Sequence, residues 1–373
     1  MEINYINEFL EFINHVQNEK GIYIVGGGRY GKVFGYYLNA NNVLWNGYID
    51  RCPQYAEADI KKVISYEEIH ELNDIFIISS ICYKQEMKEC LNAKGILDEN
   101  IITFSCVDII WEMFSQCFRC YHEYTGKIQK FKNVHLGKRC FVIGNGPSLQ
   151  IEDLHKLKDE YTFAMNSIYC MYPYTEWRPT YYVAVSSDLF SMELSDKNSF
   201  VKVIEGCKAA FVSMLTKAFE YRNDKDMDKV YYIKTCSFEN TNKSVTRFSE
   251  DCSQYMYCSS TVLYCALQLA VYMGFSDIYL IGVDCSFSKE LDEDGSINVN
   301  NGTDYNTIIQ QHLNVSVMDK FNKKFENVHS SYKTIEEYSV AKYYADTHNI
   351  HIYNATRGGK LEVFERVDFD SLI

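Results

Sequence analysis

A short loop of small and polar residues, Gly144-Asn-Gly-Pro-Ser148, follows an apolar run in the middle of the chain. Gly144 and Gly146 allow a tight turn and a close approach of the backbone to a ligand. Pro147 suits the entry to a helix, and Ser148 or Asp153 can begin that helix with its backbone N–H groups facing the turn. Such a helix start attracts phosphate. The loop therefore indicates a site for a nucleotide or another phosphate ligand, although an unliganded strand–helix turn has the same pattern.

A second glycine-rich loop, Gly26-Gly-Gly-Arg-Tyr-Gly31, lies between a predicted strand and a predicted helix. Gly26, Gly28 and Gly31 form a GxGxxG pattern. Asp50 ends the next strand, about twenty residues on, where a ribose-binding carboxylate would lie. A second nucleotide or nucleotide-sugar site and a Rossmann-like turn without a ligand both fit this pattern, and Asp50 also suits a strand-end turn.

Alternating apolar strands and helices must position these loops. The strand that leads into the first glycine loop is predicted at residues 139–143. Further strands are predicted at residues 162–165, 181–185, 209–212, 230–233, 278–281 and 350–353. A predicted helix at 261–274 is apolar on nearly every side and ends at a glycine. This alternation predicts an open, mostly parallel sheet, in which ligands bind beyond the carboxyl ends of the strands. The residues at those ends are Gly144–Ser148, Asn166, Ser186, Ser187, Asp188 and Asp284, and we expect them to meet in one crevice.

The length and composition limit the class of protein. The chain has 373 residues, of which 47% are hydrophobic, and a net charge of −13. Its size suits two domains, and its acidity argues against a nucleic-acid partner, which needs clustered cations. The 14 cysteines show no disulfide framework, and the Cys117–Cys120 CxxC lacks a second pair or a histidine cluster for zinc. With no signal or transmembrane pattern, we expect a cytoplasmic protein.

The predicted fold is α/β, with two Rossmann-like domains and mostly parallel sheets. Residues 1–105 form a small nucleotide-sugar-type domain that begins with an amphipathic helix over 1–20. Residues 106–136 form a helical linker, and residues 137–373 form the catalytic domain. The polar segment 289–327 breaks the alternation and suits either an active-site lid or surface disorder.

An ordered series of motifs marks the second domain: GNGPSL, MNSIY, RPTYYVAV, TVLYCALQLAVYMGFSDIYLIGVD and IYNATRGGKLEVFERVDFDSL. Over roughly residues 130–373 the chain resembles the domain shared by bacterial motility accessory factors and the archaeal 6-hydroxymethylpterin diphosphokinase (MptE-like). It is more distantly similar to the bacterial sialyltransferases that build lipooligosaccharide, in which a His-Ser pair precedes the last helix. The pair here is His329-Ser330. The N-terminal unit resembles the Rossmann domains attached to sugar-modifying enzymes.

The resemblance to the sialyltransferases implies a glycosyltransferase that uses a CMP-activated nonulosonic acid. Asn145, Gly146 and Ser148 would hold the phosphate and ribose of the nucleotide, with Asn166 on the nucleotide side. His329 would be the general base that accepts the proton of the attacking hydroxyl. Because the CMP leaving group carries a single phosphodiester charge, hydroxyl donors such as Tyr305 or Tyr332 could assist it, and no metal or other cofactor is required.

The resemblance to the diphosphokinase implies a different chemistry, in which ATP with Mg²⁺ transfers pyrophosphate to a pterin alcohol. Such a site needs carboxylates and cations around a polyphosphate. Asp284, Asp188 and the acidic run Asp292-Glu-Asp294 could supply the carboxylates, although that run also suits a solvated turn. Few lysines or arginines lie near the predicted site, so we favour the transferase. A non-catalytic nucleotide-sugar-binding protein is a third reading.

Three basic residues and one histidine have both a ligand-binding and a structural interpretation. Arg178 could pair with a substrate carboxylate or form a salt bridge at a strand start. Arg357 and Lys360, in a loop at a strand end, could face a phosphate or belong to a structural turn. His329 could equally be a surface imidazole, with Ser330 or Ser331 capping a helix over 336–348.

The expected partners are a nucleotide sugar and a glycan or lipid-linked acceptor, with no nucleic acid. Acceptors of this class are often lipid-linked, which is compatible with peripheral membrane association. No basic amphipathic helix supports that association, because the first helix carries Glu2, Glu8 and Glu11. The sequence leaves a monomer and a homo-oligomer open.

Overall fold

The structure, a computed structural model, divides into two compact units. One unit contains Met1–His122 and Cys236–Ser244, and the other contains Glu123–Thr235 and Val245–Ile373. The structure describes residues 1–53, 61–80, 83–105, 109–110, 112–113, 121–186, 189–190, 193–194, 196–236, 248–258, 260–292, 296–300, 303–321 and 329–373.

The first unit is a parallel sheet with helices. Its strands are β1 Glu2–Ile3, β2 Ile22–Val25, β3 Gly47–Ile49, β4 Val63–Ile64, β5 Ile75–Ile78 and β6 Ile101–Phe104. Its helices are α1 Ile6–Val16, α2 Arg29–Ala40 and α3 Lys84–Ala93. The strand order is β1-β6-β5-β2-β3-β4, and every pair is parallel.

The prediction of one helix over residues 1–20 is wrong at its start. Ile3 is fully buried and lies opposite Phe104, so residues 2–3 add an edge strand to the sheet. The helix begins only at Ile6, and it buries Ile6, Phe9 and Ile13 on one face. Pairing with β6 satisfies backbone groups that a helix would have bonded internally.

The second unit is also a parallel sheet with helices. Its strands are β7 Arg139–Ile143, β8 Thr162–Met165, β9 Tyr181–Ala184, β10 Ala209–Ser213, β11 Val230–Ile233, β12 Thr235–Cys236, β13 Met256–Tyr257, β14 Asp277–Ile281, β15 Lys289–Leu291, β16 Ile297–Val299, β17 His351–Asn354 and β18 Glu365–Arg366. Its helices are α4 Tyr121–Gly126, α5 Ile151–Lys156, α6 Lys197–Ile204, α7 Val262–Tyr272, α8 Thr307–Phe321 and α9 Ser331–Thr347. The first two residues of α4 and Cys236 of β12 fall within the ranges of the first unit. Two 3₁₀ segments span Lys127–Phe131, directly after α4, and Asn166–Tyr174, directly after β8.

The main sheet of this unit has the order β11-β10-β9-β8-β7-β14-β17-β18, with parallel pairs throughout. The carboxyl ends of β7, β8 and β14 are therefore neighbours at one edge. The predicted α/β fold class, with two Rossmann-like domains and mostly parallel sheets, is confirmed.

Helix α7 has the start and end signals that its sequence predicts. Thr261 caps it by accepting a hydrogen bond from the backbone N–H of Leu263. Gly274, with φ at +88°, ends it. Gln268 inside it is fully buried, accepts from the N–H groups of Ser249 and Tyr257, and so causes no unsatisfied polar burial.

Two predicted segments differ in detail from the structure. The described part of the polar excursion 289–327 contains an antiparallel hairpin of β15 and β16 and helix α8, so it is not unstructured there. Helix α9 begins at Ser331 rather than Glu336. Cys117 and Cys120, in the predicted linker, lie outside the described residues. Across the described residues, no helix combines the length and apolar character needed to span a bilayer.

Candidate functional site

A pocket of about 180 Å³ lies beyond the carboxyl ends of β7, β8 and β14. Predicted site residues line it together with residues from the polar excursion and from the start of α7. The predicted residues at the pocket are Gly144, Asn145, Gly146, Asn166, Asp284, Tyr305 and His329. The expected crevice between neighbouring strand ends is thus present for these side chains.

The glycines of the first loop allow two loops to pack closely. Gly146 donates its backbone N–H to the carbonyl of Gly282, in the loop after β14, at 2.9 Å. A Cβ atom on Gly144 would lie 2.3 Å from that carbonyl oxygen, and one on Gly146 would lie 2.0 Å from Oδ2 of Asp284. Any side chain at either position would therefore force the loops apart.

Asp284 braces the first loop from the side. Its Oδ2 accepts the hydroxyl of Ser148 at 2.8 Å, and only 8% of the residue is exposed. Burial raises the pKa of the Asp284 carboxyl, while the hydroxyl and N–H of Ser148 oppose that rise. Asp284 therefore holds the loop through Ser148 and also lines the pocket, and its predicted contact with a ligand stays a prediction.

The predicted helix start at Ser148 or Asp153 is wrong. Helix α5 begins at Ile151, and Gln150 precedes it in a capping box with Asp153. The helix has only six residues, and Ser148 is bonded to Asp284 instead. Neither Pro147 nor Ser148 lines the pocket, so the phosphate-binding helix start expected after this loop is not formed here.

A different helix start lies at the pocket. Ser260, Thr261, Val262 and Leu263, at the N-terminus of the eleven-residue helix α7, all line it. The first N–H groups of a helix have no intrahelical partner and carry partial positive charge. This helix was predicted over 261–274 and begins at Val262, with Thr261 as its cap. Its apolar character indicated only a place in the core, so no functional role was predicted for it.

Two asparagines of the pocket lining have buried acceptors without a partner among the described residues. The Asn145 amide donates from Nδ2 to the carbonyl of Met165 at 3.1 Å, which leaves Oδ1 facing elsewhere. Oδ1 of Asn145 and Oδ1 of Asn166 are both buried and have no hydrogen-bond partner among the described residues. Asn166 also has a φ of +45°, a left-handed conformation that asparagine tolerates better than most residues. Such unpaired acceptors indicate a ligand that donates hydrogen bonds.

His329 lies on a wall of the same pocket. Its backbone donates to the carbonyl of Lys289 and accepts from the N–H of Leu291, so the residue is held beside strand β15. Its ring stacks on Phe287, with centroids 4.2 Å apart and planes 16° apart. Nε2 is buried without a partner in the described part of the chain.

The electrostatic setting disfavours the charged form of the His329 ring. Burial lowers the pKa of His329 below its ordinary value of 6.5, and the nearby carboxylates Asp304 and Glu290 only partly oppose this. Asp304 also lines the pocket and accepts from the N–H of Ser288 at 2.6 Å and from its hydroxyl at 3.0 Å. A neutral imidazole with a free Nε2 can accept a proton from a bound hydroxyl.

Other predicted residues lie away from the pocket or cannot be placed. Ser187 and Asp188 fall outside the described residues, as do Glu293 and Asp294 of the acidic run. Asp292 belongs to the turn of the β15–β16 hairpin, where its N–H donates to the carbonyl of Ser296. Tyr332 does not line the pocket.

Arg357 belongs to a structural turn. Its guanidinium donates to both carboxylate oxygens of Asp153 at 2.6 Å and to those of Asp370 at 3.0 Å. The N–H of Lys360 donates to the carbonyl of Asp284, so the turn packs on the loop after β14. A phosphate-facing role for Arg357 is therefore unsupported, because its donors already meet two carboxylates.

Arg178 fits neither of its predicted interpretations. Its guanidinium donates to the carbonyls of Thr175 and Trp177 and lies 4.1 Å from the centroid of the Tyr172 ring. It therefore serves the local fold before β9, without a salt bridge among the described residues and without lining the pocket.

The second glycine loop, in the other unit, has the geometry of a Rossmann turn. Gly26 has a φ of +97°, and a Cβ on Gly31 would lie 2.0 Å from the carbonyl oxygen of Gly26. Gly28 precedes α2 and has open space beside it. The Asp50 carboxylate accepts from the N–H of Gly27 at 2.7 Å and from that of Cys52 at 2.9 Å. These contacts explain the motif as a folding element and leave ligand binding there a prediction.

Comparison with known proteins confirms the family resemblance over part of the chain. Residues 114–290, just under half of the chain, match the family described as 6-hydroxymethylpterin diphosphokinase MptE-like. No curated protein matches the sequence.

Two solved structures are similar at low identity. A MAf glycosyltransferase from Magnetospirillum magneticum AMB-1 aligns over 99% of this chain and 62% of its own, with 14% identity and a TM-score of 0.37. The sialyltransferase CstII from Campylobacter jejuni, solved in complex with a substrate analogue, cytidine-5'-monophosphate, aligns over 62% of this chain and 85% of its own, with 18% identity and a TM-score of 0.36. The present chain thus spans about three fifths of the length of the Magnetospirillum protein.

Proposed function

We propose that this chain is a glycosyltransferase of bacterial surface-glycan assembly, which transfers a CMP-activated nonulosonic acid of the sialic type to a sugar hydroxyl. The observation that carries the proposal is the imidazole of His329, which has an unpartnered Nε2 and lines the same pocket as Asn145 and Asn166, each with an unpartnered Oδ1. The proposal therefore assigns a base and a set of ligand-binding acceptors to one pocket.

The acceptors favour the nucleoside part of the donor. Oδ1 of Asn145 and of Asn166 need hydrogen-bond donors, which ribose hydroxyls and the amino group of cytosine supply and a phosphate does not. The phosphate would meet the start of α7, which carries the partial positive charge of a helix N-terminus. Because the pocket holds about 180 Å³, below the roughly 300–1,000 Å³ of complete ligand sites, the sugar would extend beyond it.

The proposed reaction needs one proton acceptor and one leaving group. The acceptor hydroxyl attacks the anomeric carbon of the nonulosonic acid and gives its proton to Nε2 of His329. The bond from that carbon to the phosphate oxygen breaks, and CMP leaves with the electron pair. The hydroxyl of Tyr305 at the pocket and the start of α7 would stabilise the developing charge.

A diphosphokinase reaction is the second candidate, because the matched family carries that name and two carboxylates, Asp284 and Asp304, line the pocket. Mg²⁺ prefers such oxygen ligands. However, each carboxylate already accepts hydrogen bonds from a serine, and the described lining contains no lysine or arginine to offset a triphosphate. This charge balance suits the single phosphodiester of a CMP donor better. A non-catalytic nucleotide-sugar-binding protein remains the third candidate.

The test is a thermal-shift panel with CMP, CDP, UDP and ATP, each with Mg²⁺ and with EDTA. A ligand that binds the native state raises the melting temperature by mass action. Stabilisation by CMP that survives EDTA is expected. Stabilisation by ATP only with Mg²⁺ would overturn the proposal in favour of the diphosphokinase, and a response to UDP alone would point to another donor.

The catalytic part is tested with His329→Ala. We expect CMP release from a CMP-activated sialic acid to fall about 10²- to 10⁴-fold while the stabilisation by CMP is kept. A variant that binds CMP and also releases it at the wild-type rate would remove His329 as the base. Wild-type protein that binds CMP but shows no release with any acceptor glycan, free or lipid-linked, would favour the binding-protein reading.

A further inference from the structure

Three metal-ligating side chains meet outside the pocket described above. Cys170 lies in the 3₁₀ segment Asn166–Tyr174, His312 lies on α8, and Glu193 lies between β9 and α6. One sulfur, one nitrogen and one oxygen atom from these residues lie within 4.8 Å of one another. Within the described ranges no other three histidine, cysteine or acidic residues converge in this way.

We propose that Cys170, Glu193 and His312 bind a divalent transition metal ion of the zinc class, with a water molecule in the fourth position. Thiolate, imidazole and carboxylate are the ligands that Zn²⁺ takes in proteins, and three protein ligands with one open position form a common tetrahedral set. A thiolate with an imidazole also disfavours Mg²⁺ and Ca²⁺, which prefer oxygen. The proposal is independent of the proposed transferase function.

The distances require little movement. Bonds of about 2.0–2.3 Å in a tetrahedron place ligand atoms about 3.5 Å apart. Nε2 of His312 already lies 3.3 Å from Oε2 of Glu193. The Cys170 sulfur, which lies within 4.8 Å of both partner atoms, must move closer to them by at most about 1.3 Å, a shift that side-chain rotation can supply.

The charge of the site also favours a cation. The Glu193 side chain is only 4% exposed, and its partners are the hydroxyl of Tyr169 and the ring of His312. Burial raises the pKa of Glu193, although both partners oppose that rise. Burial and the Glu193 charge also raise the pKa of Cys170. A bound divalent ion would hold both groups in their charged forms, which a buried site without a cation disfavours.

The ion would have a path into the site and a structural effect there. The His312 side chain is 46% exposed, so the cluster is reachable from solvent. Cys170 belongs to the 3₁₀ segment that begins at Asn166. Asn306, the residue before α8, donates its backbone N–H to the carbonyl of Asn145 at 2.7 Å. The metal would therefore tie together two segments that both border the nucleotide pocket.

The experiment is Co²⁺ titration of the apo full-length chain, followed by competition with Zn²⁺. A tetrahedral cobalt site with a thiolate ligand gives intense visible d–d bands and a near-ultraviolet sulfur-to-metal charge-transfer band. We expect one equivalent of Co²⁺ to produce both, and Zn²⁺ to abolish them. Cys170→Ser should remove the charge-transfer band, and His312→Ala and Glu193→Gln should each weaken Zn²⁺ binding by more than about 100-fold, beyond the loss typical of an outer-shell partner.

Matched controls separate this site from adventitious thiol and imidazole binding. Cys90→Ser and His155→Ala alter a half-buried thiol and an exposed imidazole elsewhere, and should leave both bands unchanged. Of the three substitutions, His312→Ala is expected to disturb folding least, because the His312 side chain is half exposed. Circular dichroism checks that each variant is folded. Absence of the charge-transfer band in wild-type protein, or its persistence in Cys170→Ser, would overturn the proposal.

Discussion

The hydroxyl of Ser148 lies 2.8 Å from Oδ2 of Asp284, across 136 positions of sequence. The bond joins the loops that follow the adjacent parallel strands β7 and β14. The N–H of Ser148 points to the same oxygen at 3.4 Å. Because the carboxylate is nearly buried, the two loops depend on this contact for their spacing, and so does the pocket edge formed by Gly146.

Replacing Ser148 with alanine tests this contact. The substitution removes one donor to a buried carboxylate, and we expect the free energy of unfolding to fall by about 1.5–3 kcal/mol in urea denaturation. Ser339→Ala is the matched control, since that hydroxyl bonds to Ile335 on an exposed helix surface. Its effect should stay within about 0.5 kcal/mol. Equal losses in the two variants would show that the Ser148–Asp284 bond has no special weight.

The ionisation of Asp284 makes a separate prediction. Burial raises the pKa of this carboxyl in the folded state, so its contribution to stability is present at low pH and is lost as the pH rises through that pKa. Asp284→Asn keeps an acceptor for Ser148 without the charge. We expect the variant to melt at or above the wild-type temperature at pH 7, with the difference shrinking at acidic pH. A variant much less stable at pH 7 than at pH 4, relative to wild type, would contradict this.

Gly146→Ala tests the close packing of the loop. The added Cβ would lie 2.0 Å from Asp284 and 2.7 Å from the Gly282 carbonyl, so the loops must separate. We expect a destabilisation of about 1–3 kcal/mol and loss of stabilisation by CMP in thermal melts. Gly126→Ala is the control, because it has helical backbone angles and open space around its Cα. A Gly146→Ala variant that responds to CMP like wild type would separate the loop from nucleotide binding.

The ring of Phe287 stacks on the imidazole of the proposed base. Its ring covers one face of the His329 imidazole, and burial lowers the pKa of His329. The acid limb of the pH profile of CMP release should therefore have its midpoint below 6.5. Phe287→Ala admits water to the ring, so we expect the midpoint to move up towards 6.5 with the base still present. Phe190→Ala, a buried aromatic outside the pocket lining, should not move it. An unchanged midpoint in Phe287→Ala would mean that another group controls the limb.

Much of the sheet was predictable because buried parallel strands are short apolar runs bounded by turn residues. The strands at Arg139–Ile143, Thr162–Met165 and Val230–Ile233 have the predicted bounds. The topology of such a sheet brings strand ends together, so Asn145, Asn166 and Asp284 were placed in one crevice from the sequence. These inferences rest on local patterns that tertiary contacts do not override.

The rest depended on contacts between distant segments. The edge strand at Glu2–Ile3 forms because it pairs with residues about 100 positions away. Arg357 forms ion pairs with Asp153 and Asp370, and no local sequence pattern indicates that pairing. Cys170, Glu193 and His312 are far apart in the sequence and match no known zinc-binding motif. The spacing of cysteines and histidines along the chain therefore could not indicate this cluster.

His135 should make the second unit sensitive to acid. Its ring lies against Phe275, it is 8% exposed, and its Nε2 lies 2.6 Å from the Tyr181 hydroxyl. Burial first, and then the charges of Lys138 and Lys208, lower the pKa of His135 from 6.5 to about 4. Between pH 6.5 and about 4, His135 binds a proton in the unfolded chain but stays neutral in the folded chain. Its contribution to the free energy of unfolding is therefore fully present above pH 6.5 and is lost as the pH drops. His135→Gln should make this fall shallower by up to one proton in urea denaturation between pH 7 and 4, while the exposed His155→Gln should not. The same slope in all three proteins would assign the acid sensitivity to other groups.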